Sequence, residues 1–93
     1  MFKSLDPLLH NELRLKIMSI LLSEKTAEFK FLLEENKATR GNLSAQISKL
    51  SKANYLAVEK TFRNNYPLTT CNITQDGINA FEAYANALRD YLK

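Results

Sequence analysis

The chain has one cysteine and one histidine, and those two counts close off most site chemistry. A lone cysteine forms no internal disulfide. With a single histidine beside it, a transition-metal site is short of ligands, so no metal is expected. Two glycines and two prolines supply neither a flexible linker nor a phosphate-cradling loop. No Ser/His/Asp set has a second histidine to draw on, and no carboxylate pair is stranded in an apolar run. We therefore expect no enzyme and no cofactor. No run of about eighteen apolar residues is present, so no membrane partner is expected. The opening Met-Phe-Lys-Ser-Leu-Asp-Pro has no apolar signal-peptide core, which reads as a soluble cytoplasmic protein.

What remains is ordinary globular material. The 93 residues are 45% hydrophobic and 25% charged, enough for one core and one domain over 1–93. The net charge of +3 is modest, but its distribution is uneven. Residues 1–35 and 67–93 each sum to −1, whereas 36–66 hold Lys37, Arg40, Lys49, Lys52, Lys60 and Arg63 against Glu59 alone. A positive centre between near-neutral flanks is the footprint of a polyanion-binding face; the alternative is a solvated, lysine-rich surface.

Apolar spacing divides the chain into elements. Asp6-Pro7 offers a helix start, with Asn11-Glu12 as a second cap, and Leu9, Leu13, Ile17, Ile20 and Leu21 carry a helix to about Leu22. Thr26 is expected to cap a short helix through Glu35. Thr39 caps a third helix to about Ala53, with Leu43, Ile47 and Leu50 inward and Asn54 in a left-handed position. Residues 56–62 then alternate as a strand with Leu56 and Val58 facing in. Residues 63–67 form a turn-rich tip, and 68–73 return as the second strand of a hairpin. Thr74 caps a last helix with Ile78, Phe81, Tyr84, Ala85, Leu88 and Leu92 on one stripe. The fold class is mainly α with a β-hairpin, in the order α-α-α-β-β-α.

The third helix carries the functional argument. At about 100° per residue, its outward face is Gly41, Ala45, Ser48, Lys49 and Lys52, with Asn42 and Ser44 on the flanks. Small side chains let a helix sink into a major groove about 12 Å wide, short polar groups reach base edges, and lysines pair with phosphates. Two helices joined by a short turn, the second with such a face, make a helix-turn-helix. Gly41, Asn42, Ser44, Ala45 and Ser48 are expected to read bases. Arg40, Lys49, Lys52, Lys60 and Arg63 are expected to hold phosphates. An ordinary wet helix face is the competing account.

Cys71 shares strand parity with Ile73 and reads as a core side chain rather than a sensor. His10 reads as a surface or capping group. On the last helix Phe81, Tyr84, Leu88, Tyr91 and Leu92 exceed what one short helix readily buries. With Leu9 they are expected at a dimer interface, unless they cover the protomer's own core.

These residues resemble a known family. Asp6-Pro7, Arg14-Leu15, Ile17, Phe29-x-x-Leu32, Thr39-Arg-Gly-Asn-Leu-Ser44, Lys49-Leu50, Ala53-Asn-Tyr55, Thr69-Thr70, Thr74-x-Asp-Gly77 and Phe81 resemble the single-domain winged helix-turn-helix transcriptional regulators, related in fold to the MarR and ArsR repressors. The resemblance covers almost the whole chain. It implies a homodimer on double-stranded operator DNA, with the third helix as recognition helix and Thr39, Gly41, Asn42 and Ser44 at its leading end. It also implies a helix-turn-helix over 26–54, a wing over 55–73 and a C-terminal dimerisation helix over 74–93. Asn54 and Gln75 stand where the family usually has glycine and proline. The wing has Arg63-Asn-Asn-Tyr-Pro in place of several arginines, and the metal-sensing cysteines of the ArsR branch are absent. Two other functions fit the same residues: a protein-docking module using the basic face, and a repressor gated by a small ligand at the dimer interface.

Overall fold

A computed structural model describes residues 2–93; Met1, part of the N-terminal stretch read above, lies outside them. The elements are α1 (Glu12–Glu24), β1 (Thr26–Glu28), α2 (Phe29–Asn36), α3 (Arg40–Lys52), β2 (Leu56–Arg63), β3 (Tyr66–Ile73) and α4 (Gln75–Arg89). The expected order holds, with one strand added.

Of the two helix starts, the second is used. Asp6 Oδ1 accepts from the Leu8 N–H, and its carbonyl accepts from Leu9 and His10, which closes a single turn. Asn11 then caps α1 by accepting from the Arg14 N–H at 3.0 Å. α1 ends at Lys25, whose φ of 71° breaks the chain direction.

Thr26 is not a cap. Thr26, Ala27 and Glu28 pair antiparallel with Asn72, Cys71 and Thr70, giving a three-stranded sheet of order β1-β3-β2. The pairing satisfies the backbone of 26–28 and buries Ala27 against the core, which outweighs a local capping preference. α2 therefore starts two residues later than expected, after Glu28. It stops at Lys37 in the left-handed region, where the Lys37 and Ala38 N–H groups return to Glu34 and Leu33.

α3 agrees with expectation: Thr39 caps it, and Leu43, Ile47 and Leu50 are buried. Asn54 takes a φ of 62° and ends it. The hairpin is tighter than expected. Its turn is Asn64-Asn65 alone, with φ of 51° and 66°, the signature of a two-residue type I′ loop, so β2 runs to Arg63 and β3 begins at Tyr66. β2 leaves the body immediately: only Leu56 is buried, and Val58, expected inside, is 37% exposed. The hairpin thus projects as a wing.

α4 is capped by Thr74, which accepts from the Gly77 N–H at 2.9 Å, and it buries Gly77, Tyr84 and Ala87. The core gathers Leu9, Ile17, Met18, Leu21, Leu32, Leu43, Ile47, Leu50, Leu56, Cys71 and Tyr84; no polar or charged residue is buried among the described residues. Tyr55 donates its hydroxyl to Asp6 Oδ2 at 2.6 Å, tying the N-terminal turn to the end of α3. That bond to a carboxylate, with partial burial and the negative charge of Asp6, pushes the Tyr55 pKa up to about 12.

Candidate nucleic-acid interface

Because α3 directs Leu43, Ile47 and Leu50 inward, its other side chains have fixed directions. Every residue expected at a polyanion surface is exposed: Thr39, Arg40, Gly41, Asn42, Ser44, Ala45, Ser48, Lys49 and Lys52 on α3 and its cap, and Lys60 and Arg63 on the wing. Thr39 has a second task, since its Oγ1 accepts from the Asn42 N–H at 3.2 Å. Nothing lies within 4 Å of where a Cβ on Gly41 would be, so the helix backbone there is open to close approach.

The serine flank of α3 faces the wing across a groove of about 960 Å³. Arg40, Ser44, Ser48, Ser51 and Lys52 line one wall; Val58, Lys60 and Thr69 line the other. Arg40 also borders a second hollow of about 540 Å³ with Lys30, Arg63, Asn64 and Tyr66. Val58 is exposed because it faces this groove rather than the core. Among the described residues, the ion pairs are Lys16–Glu12, Arg63–Glu28 and Lys93–Asp90. Arg40, Lys49, Lys52 and Lys60 take part in none of them. Four cations without carboxylate partners thus surround a helix face of small residues, a field suited to phosphate.

Arg63 differs from the other cations. Its guanidinium donates to Glu28 at 3.2 Å across the outer face of the sheet, so the sole arginine near the wing tip is held back toward β1. Phe62 and Tyr66 flank the tip instead, each 75% exposed. Strand alternation over a turn mistaken as five residues long gave no signal for that display. Also unforeseen is a polar chain on the other flank of α3. Arg14 donates to the Leu8 carbonyl and to Gln46 Oε1, and Gln46 Nε2 donates to Asn42 Oδ1. Only the i, i+4 spacing of Asn42 and Gln46 is visible in sequence.

The expected dimer residues divide. Leu9 is fully buried and Tyr84 nearly so, with its hydroxyl 2.9 Å from His10 Nδ1. Both serve the protomer's own core, because the Asp6 turn packs Leu9 into it and His10 ties that turn to Tyr84 of α4, and neither is available to a partner. Phe81 and Leu88 are half-buried. Tyr91 and Leu92 are exposed, and Phe2 stacks on Tyr91 with ring centres 4.6 Å apart. Cys71 is buried, and burial pushes its thiol pKa up to about 11. Among the described residues no helix is long and apolar enough to cross a membrane, and no cluster of three potential metal-binding side chains occurs.

Comparison with known proteins gives concordant matches. A family model described as "winged helix DNA-binding domain" matches residues 13–92. An uncharacterized protein of Methanocaldococcus jannaschii is 31% identical over 71 residues, covering 76% of this chain and 77% of that one. The solved structure of a transcriptional regulator homologue from Pyrococcus horikoshii OT3 superposes with a TM-score of 0.86 at 27% identity, over 91% of this chain and 84% of that one. A Streptococcus mutans UA159 protein shares the fold, with a TM-score of 0.72 at 18% identity over 98% and 86% of the two chains.

Proposed function

Since the chain belongs to the family of winged helix DNA-binding domains, we propose that it binds double-stranded DNA sequence-specifically as a homodimeric transcriptional regulator in the cytoplasm. The observation that carries this reading is the set of unpaired cations, Arg40, Lys49, Lys52 and Lys60, around the small exposed face of α3. α3 enters the major groove, where Gly41 and Ala45 allow close approach and Asn42, Ser44 and Ser48 meet base edges. Lys49 and Lys52 hold the adjoining phosphates, and Lys60 with Arg40 holds the strand beside the wing. The protein acts by binding, with no catalytic step.

Dimerisation is drawn from α4 and the ends of the chain: Phe81, Leu88, Tyr91 and Leu92, with Phe2 in place of the buried Leu9 and Tyr84. A twofold pair would set its recognition helices about 34–36 Å apart, one turn of duplex. Sedimentation should give a dimer, and Tyr91→Ser with Leu92→Ser should shift it to monomer while each protomer stays folded.

Fluorescence anisotropy on a mixed-sequence duplex across a salt series tests the DNA reading. Four unpaired cations per protomer set an upper slope near −7 in log K against log salt for a dimer, at about −0.9 per phosphate. Lys49→Ala should weaken binding to all sequences alike, whereas Asn42→Ala should change which sequence is preferred. No binding at low salt would sink the proposal. It would favour a protein-docking module, a reading that the exposed Phe62 and Tyr66 at the wing tip support.

A further inference from the structure

The polar chain from α1 to α3 has a direction that its chemistry dictates. A guanidinium only donates hydrogen bonds. Arg14 spends Nε on the Leu8 carbonyl at 2.6 Å and turns Nη1 to Gln46, so Gln46 must present its carbonyl oxygen to Arg14. The Gln46 amide nitrogen then faces α3's leading end, and Asn42 must present Oδ1 to it, at 2.9 Å. The opposite setting of either amide would put two donors face to face. Asn42 is left with its Nδ2 turned away from the chain of bonds on an exposed side chain. Gln46 and Arg14 are only partly exposed, and α1 packs on α3, which keeps the chain in place.

We infer that Arg14 and Gln46 are positioning residues that fix Asn42 as a hydrogen-bond donor on the DNA-facing side of α3, so that it selects guanine. This rests on the DNA-binding reading above. An asparagine free to turn reads adenine by accepting from N6 and donating to N7. With Oδ1 engaged by Gln46, Asn42 offers two N–H groups. The base edge that answers two donors is the N7 and O6 pair of guanine; cytosine presents its N4 donor and is rejected.

Gln46→Glu is the decisive change. A carboxylate accepts from Arg14 and also accepts from Asn42, so the Asn42 amide must reverse and turn Oδ1 outward. The preferred base at that position should change from guanine to one that donates, cytosine or adenine. Gln46→Met removes the constraint and should move the preference from guanine toward adenine. Wild type and these variants are each used in selection from random duplex. The winning sites are then titrated, with 7-deazaguanine replacing guanine at the affected position. The expected preference for guanine is about 5- to 150-fold, lost with the deaza base in wild type and reversed in Gln46→Glu. Thermal melts confirm that each variant is folded, and side-chain amide NMR of the free protein reads the Asn42 setting without DNA.

If wild type selects a site and Gln46→Glu selects the same one, the positioning role is overturned. Equal loss for all sequences in Asn42→Ala would also overturn it, because Asn42 would then hold a phosphate. A wild type that binds no duplex removes the DNA-binding reading and this inference together.

Discussion

The two glycines occupy opposite surroundings, and alanine should therefore act in opposite directions at them. Both lie in first turns of helices, where alanine is intrinsically better than glycine by up to about 1 kcal/mol. At Gly41 nothing lies within 4 Å of the added methyl. Gly41→Ala should keep that gain and raise the melting temperature by about 4–8 °C at most. At Gly77 the methyl would fall well inside contact distance of the Tyr55 carbonyl oxygen, 2.9 Å from its carbon and 3.0 Å from Met18 Cε. The obstacle is backbone, and that carbonyl also accepts the Thr74 N–H at 3.2 Å, so it cannot retreat without breaking a bond at the start of α4. Overpacking costs about 1–3 kcal/mol, here at the upper end, and a lost hydrogen bond costs about 1 kcal/mol more. After subtracting the helix gain, Gly77→Ala should lose about 3 kcal/mol. A domain of this length is stable by about 5–14 kcal/mol in total. Melting followed by circular dichroism should then fall by about 12–24 °C. A Gly77→Ala protein melting within about 4 °C of wild type would refute the close approach of α4 to Tyr55. Under the DNA reading, Gly41→Ala also carries a signature of its own: higher stability with weaker duplex binding, since its methyl holds the helix off the bases.

Tyr55 is kept neutral in the fold, its pKa raised from 10.0 to about 12 first by its bond to Asp6. The unfolded chain loses that proton first, so the contribution is whole below pH 10 and is lost as pH rises toward 12; urea midpoints should fall over that window in wild type and fall less in Tyr55→Phe. Cys71, raised from 9.0 to about 11 by burial, should resist iodoacetamide at pH 8 in native protein and react promptly in urea. Native labelling as fast as in urea would place the thiol outside the core. Glu28→Gln removes the charge that holds Arg63 at 3.2 Å. Freed to meet a phosphate, Arg63 should steepen the salt slope by up to about 0.9 per protomer, and an unchanged slope would mean the wing arginine stays clear of DNA.

Much of this architecture is legible in the sequence where local pattern and final packing coincide. Leu43, Ile47 and Leu50 are spaced for one face, and because that face is buried the remaining residues of α3 are exposed by geometry alone. Thr39 and Thr74 cap because no strand competes for their backbones. Thr26 looks the same locally, yet its neighbours pair with 70–72, and no local rule conveys a partner so distant in sequence. Leu9 and Tyr84 belong to one apolar surplus by composition; only the folding back of the Asp6 turn shows that both join the core of one protomer. The Arg14–Gln46 contact spans 32 positions and two helices, so the residue that sets the Asn42 amide is silent in any window around α3. At the wing, Asn64-Asn65 carries a turn signal that a broader reading of 63–67 blurred, and with it the display of Phe62 and Tyr66.

The strand order has a consequence for how the molecule comes into being. Ribosomes deliver this chain from its N-terminus, and the sheet's middle strand is the last of the three to be made. β1 waits for Asn72, Cys71 and Thr70, about half the chain later, and until they arrive Ala27 and Leu56 have no strand to close over them. Pairings this distant are slow to close relative to the local helix contacts. The helices that form the candidate DNA surface are therefore synthesised early and secured late. A nascent chain ending before β3 has the residues of that surface but no sheet to seat α2 beneath it. Competence to bind thus waits for β3, when the wing folds back and its return strand reaches β1.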